Sequence, residues 1–198
     1  VTSPDAGEGK TTSASNVAIA MAQAGQRTLL IDADLRKPMQ DTVFTMDREP
    51  GLTGVIAGRM SLDTAIRQSD VPGLHILTAG PDVPNPSEML NSRAFAEKFE
   101  QLKARYDRIV VDSPPVVRVT DSQILAALCD VTLLVVRAEK SKRNMSRYAC
   151  ESLLSVGGRL LGVVVNDISK SRDNYGYYGG YYRAYGRKAY GAEKKAVS

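Results

Sequence analysis

The segment SPDAGEGKTT, residues 3–12, has the composition of a phosphate-binding loop. The backbone amides of a glycine-rich turn, together with the N-terminus of a following helix, form a cradle for phosphate oxygens. Lys10 adds a positive charge for the β- and γ-phosphates, and the Thr11 hydroxyl is suited to Mg²⁺. The other residues that we expect to contact nucleotide in this loop are Gly7, Glu8, Gly9 and Thr12.

The loop fits one nucleotide-binding motif incompletely and fails another. The strict pattern G-x-x-x-x-G-K-[ST] is broken because Pro4 stands at its first glycine. The dinucleotide pattern G-x-G-x-x-G fails at Thr12. The loop therefore favours a nucleoside triphosphate over a dinucleotide cofactor.

Three aspartates follow apolar segments that are predicted to be strands. Asp32 and Asp34 lie in LLIDAD, and Asp112 lies in IVVDSPP. Acids often end strands as caps or turn formers, and that explanation suffices for one of them. Three such acids beside a Gly-Lys-Thr turn indicate a Mg²⁺-nucleotide site. We expect Thr11 and Asp34 to hold Mg²⁺, with Asp112 on a metal-bound water.

Two polar residues at the ends of later strands are candidates for contacting the adenine base. They are Arg137, after VTLLVV, and Asn166, after LLGVVV. An asparagine in this position is as often a turn former.

The apolar segments do not alternate with polar residues, which predicts strands covered on both faces. These segments are residues 28–32, 74–80, 108–115, 131–137 and 160–167. Helices are predicted at 13–24, as two short helices within 51–66, and at 87–106 with Ser87 as N-cap. The predicted fold is a three-layer α/β/α P-loop NTPase domain with a mostly parallel sheet over residues 1–168. Only Val1 and Thr2 precede the loop, so we expect an N-terminally truncated domain.

Composition excludes several other classes. The net charge of the chain is +4, but residues 170–198 alone hold seven basic and two acidic side chains, a net charge of +5. The rest of the chain is therefore near neutral, and its charge does not support nucleic-acid binding by the folded domain. No apolar stretch approaches the roughly 18 residues of a membrane span. Cys129 and Cys150 have neither disulfide nor metal spacing and are predicted to be buried, reduced thiols. His75 is predicted to be a strand residue.

These motifs, in their order, resemble those of the bacterial tyrosine kinases, the autokinases of capsule and exopolysaccharide synthesis. SPDAGEGKTT, LLIDADLRKP and IVVDSPP look like the family's Walker A, Walker A′ and Walker B motifs. The resemblance continues through GLTGVIAG, LTAGPDVPNPSEML and PPVVRVTDSQILAALCD, and so covers nearly the whole chain. It ends in a tyrosine cluster within residues 169–198, which we expect to be a flexible tail. Seven of the nine tyrosines lie there: Tyr175, Tyr177, Tyr178, Tyr181, Tyr182, Tyr185 and Tyr190.

The resemblance implies an ATP- and Mg²⁺-dependent protein-tyrosine kinase that phosphorylates this cluster. It implies that Lys10, Asp32 and Asp34 are catalytic, with Asp32 accepting the proton of the attacking phenol. Phosphorylation would reverse the positive charge of the tail and release an oligomer that the unphosphorylated tails hold together.

The partners implied are a transmembrane polysaccharide co-polymerase or adaptor domain, fused upstream or separate, and a cognate tyrosine phosphatase. A homo-oligomer is expected for the full-length protein, at the cytoplasmic face of the membrane. The family's upstream helix, which helps to build that oligomer, is absent from the sequence.

Two other functions stay open at this point. Partition and septum-placement ATPases share the second motif, but their signature lysine stands where this sequence has Asp5. The other alternative is a scaffold without catalysis, whose ATP-bound form holds the co-polymerase assembled.

Overall fold

The computed structural model describes residues 1–168, which contain eight helices and six strands. The helices are α1 (Lys10–Gln23), α2 (Gln40–Val43), α3 (Leu52–Ile56), α4 (Leu62–Ala65), α5 (Pro86–Leu90), α6 (Arg93–Lys103), α7 (Asp121–Leu128) and α8 (Arg143–Ser155). The strands are β1 (Thr28–Asp32), β2 (Arg67–Gln68), β3 (Leu74–Leu77), β4 (Arg108–Asp112), β5 (Thr132–Arg137) and β6 (Leu160–Asn166). The seven predicted phosphoacceptor tyrosines lie outside the described residues, so the boundary at residue 168 and the tail stay predictions.

The strands are mostly parallel, as predicted. Four of them form a sheet in the order β2-β3-β1-β4, in which only the short β2 is antiparallel, and β5 pairs with β6 in parallel. The first residues of the chain connect these two sheets. The Val1 amino group donates to the carbonyl of Val111 in β4 (2.7 Å), while the Thr2 amide donates to that of Leu133 in β5 (3.0 Å).

Helices cover both faces of the sheet, which explains why the strands lack alternation. On one face, Ala14, Ala18 and Ala22 of α1 pack against Leu30 of β1. Small side chains on this face of α1 let the helix lie close to the strands. The residues on either side of Leu30 in β1 point to the opposite face and join the larger core, which includes α3, α6 and α7. The three-layer prediction is confirmed.

The prediction of one helix over residues 87–106 is wrong. The chain forms α5 and α6 with a break at Asn91–Ser92, and Ser92 caps α6 by accepting from the amide of Phe95 (3.1 Å). Ser87 does not cap a helix; its hydroxyl donates to Asp121. The helical spacing of apolar residues continues across the break because both helices pack on the same core. This spacing alone therefore does not show that the helix is interrupted.

Other differences are smaller. α1 begins at Lys10 and not at residue 13, and β3 and β4 end at Leu77 and Asp112, before the predicted ends. Cys129 and Cys150 are free thiols, as predicted, but both are partly exposed. His75 lies in β3, with Nδ1 2.8 Å from the Tyr106 hydroxyl. None of the helices within residues 1–168 is long and apolar enough to span a membrane.

Candidate active site

The glycine-rich loop ends directly at the first helix, as a phosphate cradle requires. Gly9 is the N-cap of α1, and both Gly7 (φ 77°) and Gly9 (φ 95°) adopt left-handed backbone conformations that favour glycine. Gly9 also has no room for a side chain, because a Cβ atom there would lie 2.0 Å from Nδ2 of Asn166. No side chain within residues 1–168 caps the start of α1, so its amides are available to an anion.

Lys10 lies at the centre of the predicted metal ligands. Its ammonium is 2.8 Å from Oδ2 of Asp34, 3.5 Å from Oδ1 of Asp112 and 3.2 Å from Oγ1 of Thr11. Burial of the ammonium disfavours its charge, but the carboxylates of Asp112 and Asp34 outweigh this, and the pKa of Lys10 is raised. The three residues that were predicted to hold Mg²⁺ therefore converge on one cationic position.

Asp32 lies beside this cluster, and both of its carboxylate oxygens contact backbone amides. It is opposite Asp112 in the register of β1 and β4 and is fully buried. Its Oδ2 accepts from the amides of Met39 (3.0 Å) and Gln40 (2.9 Å), and its Oδ1 accepts from the amide of Asp34 (3.2 Å). Burial and the nearby charge of Asp112 raise the pKa of Asp32 to about 7. The buried carboxyl thus fixes the loop between β1 and α2.

The donor set fits Mg²⁺. Thr11, Asp34 and Asp112 provide hard oxygen ligands, and phosphates and water commonly complete the octahedron around this ion. Residues 1–168 contain no group of three or more His, Cys, Asp or Glu side chains arranged for a metal ion. The expected set has only two carboxylates, so it depends on nucleotide phosphates for the rest.

The other predicted nucleotide-binding residues lie on or beside the loop. Asn166 donates from Nδ2 to the carbonyl of Glu8 (3.1 Å), and Arg137 donates to that of Gly7 (3.3 Å) while pairing with Asp167. These ends of β5 and β6 therefore lie against the backbone of the loop.

Glu8 and Thr12 differ from the rest of the predicted loop set. The Glu8 side chain accepts from Ser141 and from the amide of Asp5, so it braces the loop and does not point to a ligand. Thr12 is exposed at the start of α1 and lines the cavity beside the loop.

Gln40 is a component of the site that the sequence did not indicate. Its Nε2 donates to Oδ2 of Asp112 (2.9 Å), and its Oε1 accepts from the Ser15 hydroxyl (2.8 Å). Ser15 also donates to the carbonyl of Thr11 (2.9 Å). Gln40 thus joins the three chain segments of the site. The sequence does not indicate this role, because a glutamine shortly after the RKP segment belongs to no recognised nucleotide-binding motif.

A cavity of about 520 Å³ opens over this cluster. The loop and Asp34 form its floor, and its walls come from α2 and from the segment after β4. Two arginines at its rim are paired: Arg36 Nε with Oδ2 of Asp121 (2.9 Å) and Arg118 Nε with Oδ1 of Asp5 (2.6 Å). A second cavity, of about 440 Å³ between β4 and β5, contains none of the predicted site residues.

Comparison with known proteins agrees with this geometry. A family model described as an AAA domain matches residues 2–148. Tyrosine-protein kinase YwqD of Bacillus subtilis is 40% identical over 180 residues, covering 90% of this chain and 76% of that protein. The putative tyrosine-protein kinase EpsB of Ralstonia nicotianae is 36% identical over 195 residues, which are 98% of this chain but 26% of that protein.

Solved structures show the same relationship. The kinase domain of the Escherichia coli tyrosine kinase ETK superposes with a TM-score of 0.83 at 30% identity, covering 90% of this chain and 70% of that one. The septum site-determining protein MinD of Pyrococcus horikoshii, complexed with Mg-ADP, reaches 0.73 at 26% identity, covering 86% and 70%. With the phosphate loop, the carboxylate cluster and these relatives taken together, the chain belongs to the bacterial tyrosine-protein kinases, built on a P-loop NTPase fold.

Proposed function

We propose that this kinase transfers the γ-phosphoryl group of Mg²⁺-bound ATP to tyrosines of its own C-terminal segment. The observation that supports this most directly is the convergence of Thr11, Asp34 and Asp112 on the Lys10 ammonium. Such a cluster, at the N-terminus of a helix with a glycine-rich loop, suits a triphosphate with a divalent cation. The MinD structure, which has the same fold, holds Mg-ADP.

Catalysis of phosphoryl transfer rests on positioning and on charge neutralisation. Bound Mg²⁺ supplies positive charge against the β- and γ-phosphates. The loop amides and Lys10 orient the phosphates, and Gln40 holds one oxygen of Asp112 so that the other faces the site. Arg137 and Asn166, which contact carbonyls of the loop, are assigned to the adenine base.

The deprotonation of the acceptor phenol is assigned to Asp32. A carboxyl whose pKa is raised to about 7 suits a base that works near neutral pH. Both of its oxygens accept backbone amides in the structure, so one of these contacts must open before a proton can reach it. Asp34, which lines the cavity, holds the metal.

The acceptors are the seven tyrosines of the C-terminal cluster, and each phosphate would add a charge of about −1.5 to −2. A few phosphates would reverse the net +5 of residues 170–198. We propose that this reversal weakens a homo-oligomer in which unphosphorylated segments occupy neighbouring active sites.

The setting that we propose is capsule or exopolysaccharide synthesis at the cytoplasmic face of the membrane. EpsB is about four times as long as the matched region, which supports a kinase domain joined to further segments in that relative. A transmembrane co-polymerase or adaptor is the partner that we propose here, with a tyrosine phosphatase that reverses the reaction.

Lys10→Met tests the nucleotide part of this proposal. The variant removes the only cation that pairs with Asp34 and Asp112 within residues 1–168, and we expect it to form no phosphotyrosine on incubation with Mg-ATP. Lys103→Met, which alters an exposed lysine on α6, is the matched control and should retain wild-type phosphorylation. Wild-type phosphotyrosine in Lys10→Met would reject the site.

A further inference from the structure

The cavity over the carboxylates has an apolar wall that the phosphate chemistry does not use. Met39, the residue before α2, and Val43, the last residue of α2, both line the cavity. They remain 47% and 46% exposed, unlike the apolar residues of the core. Pro115 and Val119, in the segment after β4, line it as well. Four apolar side chains thus stand beside the floor that holds Lys10 and Asp34.

This wall lies at the end of the site where the transferred phosphoryl group must be. The wall lines one cavity together with Lys10 and Asp34, whereas Arg137 and Asn166 contact the carbonyls of Gly7 and Glu8 and are not part of its lining. Because Lys10 serves the β- and γ-phosphates in this motif, the wall faces the γ-phosphoryl end and not the base. A group that attacks the γ-phosphorus from the cavity has to lie against the wall.

The wall is fixed to the catalytic carboxylates by backbone contacts. The Met39 amide donates to Oδ2 of Asp32 (3.0 Å), and the Lys37 amide donates to Oδ1 of Asp34 (3.0 Å). The distance from the wall to the floor is therefore set by the same two aspartates that the reaction needs. Such a connection suits the positioning of an acceptor, because an acceptor must be held at a defined distance from the phosphoryl group.

Three cations line the rim of the cavity. Arg36 and Arg118 are paired with Asp121 and Asp5, whereas Lys37 is exposed and has no ion pair within residues 1–168. A neutral aromatic ring with one polar atom matches apolar walls above a polar floor. A serine side chain is too short to reach the floor unless the polar backbone of its peptide enters the apolar wall, which costs desolvation.

We propose that Met39 and Val43, with Pro115 and Val119 opposite, form the subsite that binds the phenol ring of the acceptor and selects tyrosine over serine. This proposal rests on the proposed function, since it names where that reaction takes its acceptor. It assigns Met39 and Val43 as specificity residues that contact the ring but no phosphate.

The test measures acceptor binding separately from transfer. The full chain is loaded with Mg²⁺ and a non-hydrolysable ATP analogue, and the binding of a short glycine-flanked tyrosine peptide is compared with that of its phenylalanine and serine analogues. We expect the tyrosine and phenylalanine peptides to bind and the serine peptide to bind at least about tenfold more weakly. Met39→Gln combined with Val43→Thr should weaken tyrosine-peptide binding by about tenfold, with the affinity for the nucleotide analogue unchanged.

Leu154→Gln combined with Val156→Thr is the matched control. These two apolar residues are also exposed, and neither lines the cavity. Equal binding of the serine and tyrosine peptides, or wild-type tyrosine-peptide binding by the Met39/Val43 variant, would overturn the subsite. A change of molecular mass in that variant, with peptide binding intact, would instead make the wall an interface between copies and also overturn it. Because binding is measured without transfer, a chain that binds the peptide but forms no phosphotyrosine would count against the proposed function alone.

Discussion

Lys10 is a buried cation whose partners are the residues that would bind Mg²⁺. Three carboxylates, Asp32, Asp34 and Asp112, lie in or beside its surroundings, so the cluster has an excess of acid. Burial and the nearby charge of Asp112 raise the pKa of Asp32, since like charges at such distances disfavour joint ionisation. A divalent cation would relieve this repulsion, which is the electrostatic reason to expect Mg²⁺ with the nucleotide.

The geometry separates the roles of the two aspartates after β1, and their asparagine variants should differ. Asp34 contacts Lys10 and lines the cavity, so Asp34→Asn should raise the Mg²⁺ concentration needed for activity. Asp32 faces the backbone of α2, so Asp32→Asn should leave Mg-ATP binding intact but slow transfer by roughly 10²–10⁴-fold, as for a lost general base. Mg²⁺ titrations of nucleotide binding and of phosphotyrosine formation measure both. If both variants behave like the wild type, the reaction takes place elsewhere.

Gln40 should act as a positioning residue for Asp112. Gln40→Leu keeps the size of the side chain but removes the donor to Asp112 and the acceptor for Ser15. We expect the Mg²⁺ concentration for half-maximal activity to rise about tenfold, while ATP binding without Mg²⁺ changes little, because a charge-assisted hydrogen bond of this kind contributes about 1.5–3 kcal/mol. Gln68→Leu, at an exposed glutamine of β2, is the control. An unchanged Mg²⁺ requirement would refute the role.

The pKa of Asp32 predicts how stability depends on pH in the absence of nucleotide and Mg²⁺. The folded state keeps this carboxyl protonated up to about pH 7, whereas the unfolded state ionises it near 3.8. Between these values the folded protein binds more protons, so this residue makes the free energy of unfolding fall as pH rises, by an amount on the order of a few kcal/mol. In urea unfolding with a chelator present, the free energy of unfolding of Asp32→Asn should no longer show this decrease with pH.

Asp107→Asn provides the control for that experiment. Hydrogen bonds from the backbone amide and the side chain of Arg27 hold the pKa of the Asp107 carboxyl below its usual range. The free energy of unfolding of Asp107→Asn should therefore depend on pH between 4 and 8 as it does in the wild type. The assignment fails if Asp32→Asn keeps the same slope as the wild type across this range.

At the scale of helices and strands, the sequence predicted the strands of the sheet better than its helices. The five main strands were recognisable because burial on both faces leaves a continuous apolar segment. Helix boundaries depend on side-chain caps and tertiary contacts, which the spacing of apolar residues in the sequence does not reveal. The break between α5 and α6 is such a case, because the sequence predicted Ser87 as the cap but it is Ser92 that accepts an amide.

This reading of the break predicts unequal effects of two serine variants. Ser92→Ala removes the acceptor for the Phe95 amide and should lower the free energy of unfolding by about 1 kcal/mol. Ser146→Ala, within exposed turns of α8, removes only a donor to a carbonyl of its own helix and should change it by less than about 0.5 kcal/mol. Denaturant unfolding of both variants decides the point, and equal effects would show that Ser92 is not the cap that matters.

At the scale of the whole molecule, the site is assembled from three segments far apart in sequence. The loop before α1, the turn between β1 and α2 and the end of β4 meet because parallel strands direct their carboxyl ends to one edge. The sequence could predict this convergence from strand ends alone. It could not predict Gln40 or the wall of Met39 and Val43, since their roles arise from how α2 lies over the edge.

The central claim is that the γ-phosphoryl group is transferred to protein tyrosine. Its most direct test is the fate of γ-labelled phosphate after incubation of the chain with Mg-ATP, divided between phosphotyrosine and free phosphate, with the labelled residues mapped. We expect label on tyrosines of the cluster from Tyr175 to Tyr190, absent in Lys10→Met and unaffected in Lys103→Met. Label that appears only as free phosphate, with no phosphotyrosine, would contradict it and indicate a nucleotide-switch ATPase.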